Sequence, residues 1–438
     1  MKRSFYFAIL LALATYFASC KRQDPTMTPL EINRVIAKMT GIMIHDVTNP
    51  PLAARFYSYV CLAGYQVVTD NDARQKKFQT NFNGYPHFKH TTVTGYDYRL
   101  SALLAMIETA AKLQPSGALM AAYEQKFLDS CSQIGYSQKM IDSSRKYALE
   151  VSKQILKYAR DDGYRKISAY KRYIPLKQPG SWYPTPPAYM PPVEPYFYTV
   201  RSFTLDSNSQ FKAVEPIPFS RLPESAFYKL MLINYKLSAS KLSPQQREIA
   251  GFWDCNPFAV QDNGHMLIGL KKISPGAHWM GITANACQQA HTDFSRTMAI
   301  HTAVAVGLMD SFIGCWGEKY RTNRIRPETA IRELIDPEWM PLLQTPPFPE
   351  YLSGHSCISA TSAVILTHYF GNHFSYTDSV ENKYGLKPRH FESFQQAADE
   401  AAISRLYGGI HFSDAITTGV KQGRDIGNWV VGKIKAAH

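Results

Sequence analysis

The chain has 438 residues, 45% of them hydrophobic and 19% charged, with a formal charge of +13. These are globular proportions, enough for one large or two modest domains, and the charge excludes an acidic surface. The basic residues are scattered rather than striped along one face, which argues against nucleic acid and for an anionic substrate or a nearby membrane.

The chain opens on Lys2 and Arg3, followed by an almost unbroken apolar run from Phe5 to Phe17. The run is too short to span a membrane comfortably and ends in small residues, as a signal peptide over 1–19 does. Cys20 follows directly, as in a bacterial lipobox, so lipidation at Cys20 and a tether over 20–26 are expected. An exported protein, lipid-anchored to a bacterial membrane on its periplasmic or outer-membrane side, is the implied localisation. The anchor would be its only membrane contact. Six further cysteines are widely spaced and form no C-x-x-C pair, so free buried thiols stand beside disulfides as readings.

From Glu31 to Arg160 apolar residues recur at helical spacing, with Ile32, Val35, Ile36 and Met39 on one face and Leu100, Leu103, Leu104 and Ile107 on another. Gln138 to Arg160 forms a further helix, with Gly163 beyond it as a stop. No stretch alternates with period two, so the class is all-α. Over 165–222 the prolines are too dense for a long helix or a central strand, and Trp182, Tyr183, Tyr189, Tyr196 and Tyr198 are interleaved with them. That stretch reads as a Pro/Tyr-rich irregular wrap across a helical core. It closes an N-terminal part, 27–222, ahead of a C-terminal part, 223–438. There Ser243-Pro244 signals a helix start, one long helix is expected from about Gly276 to Trp316, and others begin after Ser353, at Phe391 and at Ala415. Ser274 to Trp279 reads as a turn ahead of a helix, and the histidines show no zinc-protease spacing.

Three stretches pair a cation or histidine with a bend in the backbone. The first is Trp316-Gly-Glu-Lys319-Tyr-Arg-Thr-Asn-Arg324-Ile-Arg326-Pro327. Lys319 belongs near a helix end, and the proline pushes Arg326 into an extended turn. The second is Phe348-Pro-Glu-Tyr-Leu-Ser353-Gly354-His355, directly before an apolar helical run. Unpaired N–H groups at that helix start, with the Ser353 hydroxyl, make an anion site beside an imidazole. The third is Ser404-Arg405-Leu-Tyr-Gly-Gly-Ile-His411. A buried tetrahedral oxyanion needs several charge-assisted donors, a proton donor and a group in line, and Lys319, Arg326, Arg405, Ser353, Gly354, His355 and His411 supply that set.

The order K-x6-R-P, S-G-H, S-R-x5-H resembles the signature of the type 2 phosphatidic acid phosphatase superfamily, which includes the vanadium-dependent haloperoxidases. Trp316 and Phe348 are similar in position to residues lining the halide pocket of chloroperoxidase-type members. The resemblance implies a haloperoxidase-like helical-bundle fold with vanadate as cofactor and His411 as its axial ligand. Lys319, Arg326, Arg405, Ser353 and the Gly354 N–H would neutralise its oxygens. His355 would act as acid–base, with Lys319 assisting catalysis. Hydrogen peroxide, halide and an organic acceptor would be the small-molecule partners. On the phosphatase reading phosphate occupies the same site, and His411 attacks a phosphate ester to form a phosphohistidine. A glycan-binding lipoprotein using the Trp182 to Tyr198 aromatics is a third reading. Two departures from the pattern stand out. Leu352 replaces a proline, and the acid expected four residues after the last histidine is Ala415, with Asp414 one place early. The sequence does not specify the halide or the oligomeric state.

Overall fold

The computed structural model describes residues 25–437 apart from 90 and 238; the signal segment and Cys20 lie outside the described residues. Local signals in the sequence set most helix starts. Thr28 and Glu31 form a reciprocal capping box ahead of α1 (Pro29–His45), and Asn49 caps α2 (Pro50–Asn71). Both helices carry proline in the first turn, where no N–H partner is required. α3 (Tyr98–Leu113), α4 (Ala118–Gln133) and α5 (Gln138–Arg160) complete the N-terminal bundle, in which α3 packs on α2 and α5.

After the wrap come α6 (Ala226–Lys236) and α7 (Pro244–Phe252), the latter started by Ser243-Pro244 as the sequence suggests. A small hairpin of β1 (Val260–Asp262) and β2 (Leu267–Gly269) leads to α8 (Pro275–Gln289), capped by Ser274. The long helix expected from Gly276 to Trp316 is in fact two helices. Apolar residues flank a largely polar stretch, Gln288 to Asp293, within which His291 takes φ 48° and Asp293 caps a new helix, α9 (Phe294–Thr322). α10 (Pro327–Leu334) and α11 (Gly354–Phe370) follow, then a second hairpin of β3 (Tyr376–Asp378) and β4 (Arg389–Phe391). α12 (Phe394–Tyr407) and α13 (Ser413–Lys435) end the fold.

α9 is long and apolar enough to cross a membrane by composition, yet its apolar stretch is wholly buried inside the fold. It packs against α2 on one side and α11 on the other, joining both bundles into one hydrophobic core that runs across residue 222. α13 lies close against α11 because Gly419, Gly423 and Gly427 face it at i, i+4 and i+8. A Cβ on Gly423 would stand 2.1 Å from the Cys357 carbonyl oxygen. All six described cysteines are free and buried.

The 165–222 wrap is ordered by packing and by hydrogen bonds to the C-terminal helices. Trp182, Phe197, Val200, Phe203 and Leu205 are buried. Asp310, buried on α9, accepts the N–H groups of Phe203 and Thr204 at 2.7 and 2.8 Å. The Val193 carbonyl accepts from Trp316 Nε1 at 3.2 Å and from the Tyr320 hydroxyl at 2.6 Å, so the wrap reaches the helix that carries Lys319.

Candidate active site

The three motifs meet at the C-terminal end of α9, the N-terminal end of α11 and the α12–α13 turn. A cavity there is lined by Trp316, Phe348, Gly354, His355, Arg405 and His411. Ser353 is the N-cap of α11 and accepts the Ser356 N–H at 3.3 Å. The first N–H groups of the helix, Gly354 among them, have no intrahelical acceptor and present a positive dipole end to the cavity.

Arg326 sits in the extended turn expected before Pro327, at φ −83° and ψ 154°. Its Nε donates to the Phe348 carbonyl at 2.9 Å, and Nη1 donates to the Ile410 carbonyl at 2.9 Å and approaches His411 Nε2 at 3.2 Å. Its Nη2 is buried without a partner. Arg405 donates from Nη2 to the Trp253 carbonyl at 2.6 Å and from Nε to Ser404 Oγ at 2.9 Å. Lys319 is fully buried and does not line the cavity. Its ammonium is held by the carbonyls of Pro349, Glu350 and Leu352, behind the cavity wall. Burial pushes its pKa down to about 7.

His411 is held in one tautomer by its neighbours. Nδ1 faces Glu350 Oε1 at 2.9 Å, and a carboxylate there accepts the Nδ1–H. Nε2 faces the guanidinium of Arg326, so it carries the lone pair. Burial, followed by Arg326, Lys319 and the other arginines, holds the pKa well below its ordinary value, and the ring is neutral. Burial and the Arg405 charge do the same to His355, whose Nε2 is buried without a partner.

Glu350 is the site residue that motif reading passes over. Its Oε1 also accepts the Phe412 N–H at 2.9 Å, and its Oε2 accepts from Arg324 Nε at 2.7 Å. Arg324 in turn grips both oxygens of Asp414 at 2.6 Å. Asp414 therefore does not stand in for the missing acid at His411. It holds the arginine that holds Glu350, and the acid beside His411 comes from the second motif.

Among the described residues no carboxylate pairs with Lys319, Arg326 or Arg405; their partners are carbonyls, one hydroxyl and one imidazole. Buried guanidinium groups with no carboxylate paired to them are costly in a protein interior, and an oxyanion in the adjoining cavity offsets that cost. The free Arg326 Nη2, the free N–H groups of α11 and the lone pair on His411 Nε2 fit a tetrahedral oxyanion such as vanadate. Trp316 and Phe348 form an aromatic wall, with ring centroids 5.0 Å apart, and the Lys319 ammonium lies 5.0 Å from the Phe348 ring. Trp182, offered by the glycan reading as a stacking platform, is buried.

Fold and site together define an all-helical enzyme built around a buried oxyanion pocket. The family described as the VCPO second helical-bundle domain matches residues 299–438, which hold all three motifs. The crystal structure of a bacterial vanadium-dependent iodoperoxidase is similar at 41% identity and a TM-score of 0.87, over 94% of this chain and 97% of that one. Apo and holo forms of a bacterial vanadium-dependent chloroperoxidase share the fold at 14% identity. Their TM-scores are 0.66 and 0.63, over 89% and 92% of this chain and 95% and 92% of theirs. No curated protein matches the sequence. The chain belongs to the vanadium-dependent haloperoxidase family.

Proposed function

We propose that this protein is a vanadium-dependent haloperoxidase with iodide as its first halide, catalysing X⁻ + H2O2 + H⁺ → HOX + H2O. The observation that carries this reading is the pair of buried guanidinium groups beside His411, Arg326 and Arg405, with no carboxylate paired to either among the described residues and the Arg326 Nη2 left without a partner. The iodide assignment rests on the 41%-identical iodoperoxidase. Vanadate, when bound, supplies a Lewis-acidic centre at which hydrogen peroxide is activated without a change of metal oxidation state.

The protein's part is to hold the oxyanion, fix its orientation and manage one proton. His411 Nε2 would hold the vanadate, and Glu350 fixes the ring and raises its basicity through Nδ1. Arg326, Arg405, Ser353 and the Gly354 N–H neutralise the oxyanion's charge. Lys319 adds positive potential from behind the wall, through the backbone it organises. His355 Nε2, neutral and unpartnered, takes a proton from incoming hydrogen peroxide and returns it to the departing water. Trp316 and Phe348 shape the apolar side from which a large, weakly hydrated halide approaches. Export and a lipid anchor at Cys20 complete the proposal, supported by the charged start, the apolar run and the following cysteine.

The test uses chain trimmed after Cys20, freed of bound oxyanion, and reconstituted with orthovanadate or with phosphate. Triiodide formation and bromination of an activated diketone are followed with peroxide, and hydrolysis of a chromogenic phosphate ester is followed in parallel. Vanadate-dependent halide oxidation that is lost in His411→Ala supports the reading. Ester hydrolysis without halide oxidation would move the protein to phosphatase chemistry at the same donors.

A further inference from the structure

A second buried cluster adjoins the oxyanion pocket, whose cavity Cys255 also lines, and its residues supply none of the oxyanion donors. Cys255 follows α7, His278 lies in the first turn of α8, and Glu381 follows strand β3, which carries Asp378. Cys255 Sγ stands 3.3 Å from His278 Nδ1 and 3.7 Å from Glu381 Oε1, and Nδ1 stands 3.5 Å from Oε1. A tetrahedral ion with a thiolate at about 2.3 Å and nitrogen or oxygen at about 2.0–2.2 Å has ligand–ligand edges of roughly 3.4–3.6 Å. The three measured edges agree with these to within about 0.3 Å.

The opposite nitrogen of His278 faces Asp378 Oδ2 at 2.7 Å. A carboxylate behind a histidine is the outer partner that fixes ring and tautomer in metal sites. With Nε2–H given to Asp378, Nδ1 is the ring nitrogen that faces the thiol and Glu381 and would bind a metal there, releasing any proton it carries. Three separate segments bring these groups together in the interior: His278 and Asp378 are fully buried and Cys255 is 2% exposed.

We propose that Cys255, His278 and Glu381 bind a divalent transition-metal ion, zinc being the best match to one thiolate, one imidazole and one carboxylate, with water in the fourth position. The ion is separate from the vanadate centre and has a positioning role. The Trp253 ring stacks on His278 at 4.7 Å, and the Trp253 carbonyl anchors Arg405 at 2.6 Å. Fixing the 253–255 segment therefore fixes one wall of the oxyanion pocket.

The experiment is metal analysis of the full chain, purified without chelators and dialysed against metal-free buffer. About one zinc per chain is expected in the wild type. Cys255→Ser and Glu381→Gln should each retain less than a tenth of that while keeping a wild-type circular dichroism spectrum. As a measurement independent of any variant, the stripped wild type is titrated with Co²⁺ alone. A thiolate-to-cobalt charge-transfer band is expected, saturating at one equivalent and displaced by zinc. Wild type that retains no zinc and gives no such band overturns the proposal. So does zinc bound at full stoichiometry in both variants.

Discussion

Glu350 and His411 are joined at 2.9 Å between Oε1 and Nδ1, although 61 residues separate them. The contact leaves the lone pair on His411 Nε2, facing Arg326, and it links that ring to Arg324 and Asp414. The His411 imidazole is thus the end of a buried chain of charges rather than an isolated side chain. Predictions about the site follow from where each residue stands in that chain.

Glu350→Gln keeps the shape but removes the charge behind the ring. Outer partners of ligating histidines are typically worth 10–100-fold in affinity or activity. The variant should need about 10–100-fold more vanadate for half-maximal reactivation, measured by titrating the stripped protein. An unchanged half-saturation point would remove Glu350 from the site.

Asp414→Asn acts one step further away. Arg324 loses a bidentate partner but keeps Glu350, so the cost should fall on stability, about 2 kcal/mol, while halide oxidation stays near wild type. Denaturant unfolding with parallel activity separates the two. Loss of activity as large as in Glu350→Gln would mean that Asp414 acts on His411 directly.

His355 carries the proton step in this account, not the binding of the oxyanion. His355→Ala should lower kcat by about 10²–10⁴-fold with vanadate affinity changed less than about tenfold. Equal losses in both would make it a binding residue.

Lys319 gives a pH dependence with a definite sign. Its pKa in the fold, about 7, lies below the value of an unfolded lysine, so between those values the unfolded chain binds one more proton than the native protein. Native stability attributable to this group therefore rises with pH through that window, by up to about 1.4 kcal/mol per pH unit. In vanadate-free protein, wild type should gain on Lys319→Met as pH goes from 7 to 9. Parallel stability curves would show that the three carbonyls keep the ammonium charged throughout.

The approach of α13 to α11 makes Gly423 a structural requirement of their packing. Gly423→Ala should cost about 1–3 kcal/mol through overpacking against the Cys357 backbone, read from the denaturant midpoint. A neutral substitution would mean that the helices separate freely.

Most of the site was legible because its donors come in short motifs with local physical signatures. The proline after Arg326, the cap at Ser353 and the turn before His411 each announce a bend beside a cation. Helix starts at Ser243 and Ser274 were readable for the same reason. The break at 290–293 was not, because apolar helical spacing on both sides hides a six-residue, largely polar stretch whose one cap signal is Asp293. Glu350 stood inside a quoted motif but had no signal of its own, since a carboxylate acquires its role here by facing a histidine from another helix. Cys255, His278 and Glu381 were invisible as a group for the stronger reason that three segments supply them.

The most direct test is a crystal structure of the chain soaked with orthovanadate. The account predicts vanadium bonded to His411 Nε2, with its oxygens against Arg326, Arg405 and the first turn of α11, and with Glu350 still on Nδ1. Vanadium bound elsewhere, or an empty cavity with His411 Nε2 still turned to Arg326 at saturating vanadate, would contradict it.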